Sequence, residues 1–280
     1  MGTTLIAKGL ARGVHPEQWN VDHPEVVREI HRGYLEAGAQ VILSNSFGGN
    51  RSRLGRHELE GRIHELNMAA AQLARVEADE FQEPVVVGGS IGPTGRMMKP
   101  LGDLTPEQAE AEFQEQAAAL VEGGVDVLWI ETMSDLEEVH AAVRGCRKVA
   151  NGLPLVVTMT FDTHGYTSMG VSPEDALTAL SGYRLAALGG NCGNGPVEIE
   201  SVIVKLHSAD PDVVLVAKSN AGVPRMKGGQ TIYDAGPEVM AEHARRVYGL
   251  GARIIGACCG STAEHISAMG RALKELTDEG

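Results

Sequence analysis

The feature that most constrains this chain is an alternation. Short apolar runs rich in β-branched residues recur along it: Val41-Ile42-Leu43, Val85-Val86-Val87, Val125 to Ile130, Leu155 to Phe161, Leu185 to Leu188, Val213 to Ala217 and Ile254-Ile255. None alternates polar with apolar residues, so each suits a strand buried on both faces, as in a parallel sheet. The stretches between carry helix signals. Thr105-Pro106-Glu107-Gln108 offers an N-cap threonine, a proline at the first helical position and a glutamine three residues on. Ser134-Asp135-Leu136-Glu137 and Ser261-Thr262-Ala263-Glu264 fit the same capping box, and Ser172-Pro173 is a further cap. Gly38, Gly124 and Gly251 stand where helices end in a left-handed residue before the next run.

Strand and helix alternating at ~30–45 residues is the βα pattern of a parallel sheet. The 280 residues contain no linker, low-complexity tract or composition shift, so one domain over 1–280 is expected. Seven strands are counted, where a closed barrel needs eight, and the chain opens on a Gly-Thr turn and a polar stretch. The expected class is α/β, a (β/α)8 TIM barrel with its first strand missing or displaced at the N-terminus. An open seven-stranded sheet is the alternative. The barrel is favoured because polar or reactive residues end almost every run: Ser44-Asn45-Ser46, Ser90, Glu131, Thr160 and Asp162, Asn191-Cys192, Lys218-Ser219-Asn220, and Cys258-Cys259. A closed ring brings such ends to one rim, whereas a doubly wound sheet spreads them along an edge.

Charge narrows the function. Lys and Arg total 24 against 37 Asp and Glu, a net −13, which disfavours a nucleic-acid partner. No run approaches the ~20 apolar residues of a membrane span, and the N-terminus has no signal-peptide core. The expected compartment is cytoplasmic. Four cysteines are too few for a disulfide-stapled secreted domain; in a reducing compartment, clustered cysteines read as metal ligands or catalytic groups.

A lone cysteine most often simply packs, which is the reading for Cys146 in mid-helix. A vicinal pair is different. Adjacent residues on a strand point to opposite faces, so Cys258 and Cys259 reach one metal only if the chain bends there; Gly256 and Gly260 flank them. Cys192 stands at another strand end, in Gly190-Asn191-Cys192-Gly193. Three thiolates with an open fourth position suit a catalytic zinc. Such a zinc is a poor Lewis acid for water. It is better suited to binding a fourth thiol and presenting it, ionised, to an electrophile. That chemistry is alkyl transfer to sulfur.

These cysteine motifs resemble the zinc signature of the homocysteine S-methyltransferases. Met1-Gly2-Thr3, Ser44-Asn45-Ser46-Phe47, Gly89-Ser90-Ile91-Gly92-Pro93, Trp129-Ile130-Glu131-Thr132 and Ser219-Asn220-Ala221-Gly222 agree with the same family over the whole chain. The likeness is nearest to compact bacterial betaine–homocysteine methyltransferase-like enzymes. It implies a (β/α)8 barrel that moves a methyl group to homocysteine, forming methionine, with Zn2+ held and the substrate thiol activated by Cys192, Cys258 and Cys259. It implies that Glu131 binds the substrate's amino group, and that Asn45, Ser90, Thr160 and Asn220 make polar contacts in the pocket. The family opens on Asp-Gly-(Ala/Gly)-Met-Gly-Thr after a hydrophobic strand, whereas this sequence begins inside that motif. A longer natural chain is therefore expected.

The resemblance leaves the donor open between betaine and a sulfonium such as S-methylmethionine. An onium cation can rest on an aromatic face. Trp19 lies where betaine enzymes carry a donor-site tryptophan, but Gly48 stands where they carry another aromatic residue, leaving Phe47 and Tyr166 as further candidates. Two other readings stand beside the leading one. The first is a methyltransferase subunit that works with a separate corrinoid protein, since no folate or cobalamin region is seen here. The second is a non-catalytic zinc and thiol redox-sensing barrel. The expected partners are homocysteine and a small methyl donor; a homo-oligomer is compatible with the sequence.

Overall fold

The computed structural model describes residues 1–11, 13–228 and 230–278. The chain divides into two compact units, Met1–Leu35 with Gln40–Val156, and Glu36–Ala39 with Val157–Gly280.

The first unit opens on a helix, α1 (Gly2–Ala7), where the sequence reads as a turn. Two further helices follow, α2 (Trp19–Asp22) and α3 (Pro24–Glu36). Among the described residues no strand precedes β1 (Val41–Leu43). Leu5, Leu10, Val27 and Ile30 form the apolar cluster that holds this N-terminal layer together, with Trp19 packed against it. After β1 come α4 (Arg51–Leu54), α5 (Ile63–Glu80), β2 (Val86–Ile91), α6 (Pro106–Glu122), β3 (Val127–Met133) and α7 (Leu136–Val149). The three strands pair in parallel and in sequence order, with Leu43 opposite Gly88 and Ser90 opposite Trp129. The Thr105–Gln108 capping box forms as expected. The cap of α7 is Asp135 rather than Ser134, its carboxylate accepting from the Glu137 N–H. Cys146 is buried in α7, and burial pushes its thiol up to about 12.

Strand β4 (Leu155–Met159) carries the chain from the first unit into the second. The second unit continues with α8 (Pro173–Leu180), β5 (Ala187–Cys192), α9 (Pro196–Ala209) and β6 (Leu215–Ser219). A short antiparallel hairpin follows, β7 (Arg225–Lys227) and β8 (Gln230–Ile232), then α10 (Pro237–Gly249), β9 (Ala252–Ala257) and α11 (Ala263–Asp278). Strands β5, β6 and β9 pair in parallel. Met240, Ala244 and Met269 form a core between α10 and α11, with Ile255 and Leu273 against it. Gly38, Gly124 and Gly251 all adopt the positive φ expected of them.

The class is α/β with parallel strands in βα order. Strands β1 to β6 and β9 are the seven counted from sequence. Two of them run further than expected: β2 and β5 extend beyond their apolar residues into Gly88-Gly89-Ser90 and Gly189-Gly190-Asn191-Cys192. Hydropathy stops there but backbone pairing continues, because neighbouring chains leave no room for side chains. A Cβ on Gly189 would stand 1.9 Å from the Val216 carbonyl oxygen, and one on Gly88 2.5 Å from the Leu43 side chain. Ser90, Glu131 and Cys192 therefore lie within strands rather than in the loops after them. No helix among the described residues is long and apolar enough to cross a membrane.

Candidate metal centre

Parallel register brings the cysteines close. Cys192, the last residue of β5, pairs with Ser219 of β6, and Ser219 pairs with Ala257, the last residue of β9. Cys258 continues this row, its N–H donating to the Ser219 carbonyl at 2.7 Å. Strands two apart in a sheet stand about 9–10 Å from each other, too far for a shared metal. Two local departures close the gap. Cys192 adopts φ +61°, a left-handed conformation costly for a residue with a Cβ. Beyond β9 the chain turns, with the Ser261 N–H donating to the Cys258 carbonyl and Gly260 at φ +80°. The vicinal pair thus lies in a turn, not on a strand, and both thiols face the same way. The Cys192 and Cys258 sulfurs are 2.9 Å apart, and all three lie within 4.8 Å of one another.

A frame of amides holds this arrangement. The Asn220 side chain donates to the Gly193 carbonyl at 2.8 Å and accepts from the Cys259 N–H at 3.0 Å, so one residue links both cysteine segments. Thr158 donates to Asn191 at 2.7 Å, and the Asn191 amide reaches the Cys258 sulfur at 4.0 Å. The Ala221 N–H donates to the Cys259 carbonyl. The Tyr233 ring lies where a Cβ on Gly260 would fall.

The thiols share protons unequally. Cys259 is drawn down to about 3 by hydrogen bonds from Cys192, from Cys258 and then from Tyr233. Cys192 is pushed up, chiefly by its bond to Cys258, then by Cys259 and burial. Cys258 is also raised: its bond to Cys259 and its burial outweigh the lowering effect of Cys192. A soft divalent cation relieves this crowding by replacing shared protons with a common charge, and an all-thiolate set selects zinc or a similarly thiophilic metal. The donor set and its closeness fit such an ion.

The other residues singled out from sequence are placed as follows. In the first unit, Glu131 is buried and accepts from the Ser90 hydroxyl at 2.5 Å. The Ser90 N–H donates to the Ser44 hydroxyl, and the Ser46 hydroxyl donates to the Ser90 carbonyl. Asn45 is buried, with its amide nitrogen donating to the Pro16 carbonyl and to Asn20. It therefore ties the α2 segment to the end of β1. Trp19 packs against His23 with ring centroids 4.7 Å apart and the ring planes tilted by 60°. Phe47 carries the Arg53 guanidinium 5.1 Å from its centroid. In the second unit, Tyr166 carries the Lys205 ammonium at 5.4 Å. Thr160 is buried just past β4. Sequence reasoning missed Tyr233, because the hairpin before it carries no hydrophobic pattern. It also read Asn220 only as a pocket residue, although the position after β6 signalled its nearness to the cysteines.

These features define an α/β protein with a cluster of three cysteines, beside the ends of β5 and β9, that could hold a metal ion. A profile of the homocysteine S-methyltransferase family matches residues 1–273, and the chain belongs to that family. It is 32% identical over 292 residues to the methionine synthase of Mycobacterium tuberculosis (strain ATCC 25618 / H37Rv), covering 99% of this chain and 24% of that protein. It is 32% identical over 269 residues to the methionine synthase of Mycobacterium leprae (strain TN), covering 92% and 22%. The chain thus spans about a quarter of the length of these relatives. Its fold is similar to that of the metallated form of the homocysteine methyltransferase MmuM from Escherichia coli, at TM-score 0.82 and 24% identity, covering 97% of this chain and 93% of that one. A methyltransferase from Methanosarcina mazei is similar at TM-score 0.58 and 13% identity, covering 94% and 88%.

Proposed function

We propose that this chain transfers a methyl group from an onium donor, betaine or a sulfonium such as S-methylmethionine, to homocysteine, forming methionine. The observation that carries this reading is the convergence of Cys192, Cys258 and Cys259 at strand ends in a chain of this family. These three residues would hold Zn2+, which supplies the positive charge that ionises a substrate thiol near neutral pH. In the transfer, the substrate sulfur attacks the methyl carbon. A sulfur–carbon bond forms, the carbon–nitrogen or carbon–sulfur bond of the onium breaks, and its electron pair stays on the neutralised donor.

The protein's own groups orient these reactants. Asn220 keeps the two cysteine segments in register. Glu131 pairs with the substrate ammonium, a charge-assisted contact, while the Ser90 hydroxyl fixes its carboxylate. Thr160 adds a polar wall, and Asn45 supports the α2 segment that carries Trp19. Trp19 is the candidate surface for the donor cation, since Phe47 and Tyr166 each already carry a protein cation. The expected compartment is the cytoplasm.

The test is methionine formation from homocysteine across a panel of betaine, sulfonium donors and methylcobalamin, with zinc measured on the same samples. About one zinc per chain and activity with an onium donor, both lost in Cys258→Ala, are expected. Activity and metal that survive this substitution would refute the reading. A second reading, transfer from a separate corrinoid protein, is tested on the same panel. Turnover with methylcobalamin alone would select it.

A further inference from the structure

The pairing of β1 with β2 ends at Leu43 opposite Gly88, two residues short of Ser90. In a parallel strand the N–H and C=O of one residue point to the same side. At Ser90 both are taken up by side chains from the end of β1. The Ser90 N–H donates to the Ser44 hydroxyl at 3.1 Å, and the Ser46 hydroxyl donates to the Ser90 carbonyl at 2.8 Å. The Ser44 and Ser46 hydroxyls are 2.7 Å apart. The single hydroxyl hydrogen of Ser46 is committed to Ser90, so Ser44 is the donor between them. These groups close a ring in which every donor has one acceptor. All three serines are buried, and the Ser90 hydroxyl stands outside the ring, donating to Glu131 at 2.5 Å. Helix α6 holds the ring in turn. Gln116, fully buried, donates from Nε2 to the Ser46 carbonyl at 2.6 Å and to the Asn67 side-chain oxygen at 3.2 Å. Asn67 of α5 donates to the Gly49 carbonyl at 2.8 Å, and a Cβ on Gly49 would stand 2.1 Å from the Asn67 oxygen.

We propose that Ser46 and Gln116 are positioning residues for substrate recognition: they lock Ser90, and through it the Glu131 carboxylate, in the orientation that receives the ammonium of an amino-acid thiol. The inference rests on the reading that Glu131 binds that ammonium. A charged hydrogen bond is directional, and a carboxylate fixed before binding loses less freedom when the ligand arrives. The ring supplies this fixing. Buried hydrogen bonds that donate in one direction reinforce one another, and removing one member leaves a backbone group of Ser90 without its partner. Gln116 meets neither Ser90's hydroxyl nor Glu131, so its effect passes through the Ser46 carbonyl.

Calorimetric binding of homocysteine and of desamino-homocysteine to the zinc-loaded protein tests this. The two ligands share thiol and carboxylate, so the ratio of their affinities isolates the ammonium. Ser46→Ala and Gln116→Met should each weaken homocysteine about 3–10-fold, the worth of one hydrogen bond, and leave the desamino ligand within about twofold. A pocket that had merely loosened would lose both ligands alike, and that result would overturn the proposal. So would unaltered homocysteine affinity in either variant that folds. Glu131→Gln separates the two readings. A changed ratio there, with none in Ser46→Ala and Gln116→Met, would sink the positioning role and spare the ammonium site. An unchanged ratio in Glu131→Gln would overturn both.

Discussion

Asn220 accepts the Cys259 N–H at 3.0 Å through its side-chain oxygen, and the same side chain donates to the Gly193 carbonyl at 2.8 Å. One planar amide thereby spans the chain segments of Cys192 and Cys259, which are 67 residues apart in sequence. Replacing it with alanine should leave the fold intact but loosen the cluster. Zinc affinity, measured by chelator competition, should fall by about 10–100-fold. Asn220→Asp keeps the acceptor for Cys259 but loses the donor to Gly193, and should fall between the two. Unaltered affinity in the alanine variant would remove the clamp from the account.

The pairing of Ser90 with Glu131 leads to a kinetic expectation. If Glu131 holds the substrate ammonium, Glu131→Gln should raise KM for homocysteine by about 10–100-fold, the worth of a charged hydrogen bond, with a smaller change in kcat. Ser90→Ala should act in the same direction but more weakly, because it removes only the hydroxyl that orients the carboxylate. Steady-state kinetics with homocysteine varied at saturating donor separates the two parameters. A loss confined to kcat in Glu131→Gln would assign the residue elsewhere.

His31 makes stability depend on pH. It is buried in α3, and its pKa is lowered from 6.5 to about 4, first by burial and then by the N-terminal ammonium, against an opposing effect of Glu77. The folded state thus holds His31 neutral where the unfolded chain protonates it. Above pH 6.5 both states are neutral and nothing is lost. As pH falls from 6.5 to about 4, protons favour the unfolded state, and the penalty grows to about 3 kcal/mol. Urea unfolding at pH 7 and pH 4.5 should show that His31→Leu loses less stability on acidification than the unaltered chain, by about 2–3 kcal/mol. Parallel losses in the two proteins would exclude this source.

Gly189 is a position where space, not conformation, demands glycine. Its ideal Cβ would stand 1.9 Å from the backbone oxygen of Val216 across the β5–β6 pair, and backbone cannot rotate away as a side chain can. Gly189→Ala should destabilise the chain by at least about 1–3 kcal/mol, read as a lower denaturant midpoint, and should weaken zinc binding because Cys192 lies on the same strand. Gly170, a loop glycine with no atom within 4 Å of its Cβ, is the comparison. Its positive φ of 79° limits an alanine there to conformational strain alone.

Much of this was legible in the linear order of residues. The βα alternation, the Thr105 and Ser172 caps and the glycine helix ends at Gly38, Gly124 and Gly251 are local or periodic signals. Hydropathy, cap chemistry and glycine's freedom act over a few residues, so the chain alone determined them. The strand ends at Ser90 and Cys192 were not legible, because glycine-rich segments carry no apolar pattern and are strands only through the neighbours they pair with. Helix α1 and the β7–β8 hairpin went unseen for the same lack of periodicity. The bridging role of Asn220 and the contact of Tyr233 with Gly260 depend on atoms brought near by parallel register and by the turn at Gly260. Register and close approach are sums over distant partners. They were decided by the tertiary structure, where one side chain's hydrogen bonds depend on strands that meet only after folding.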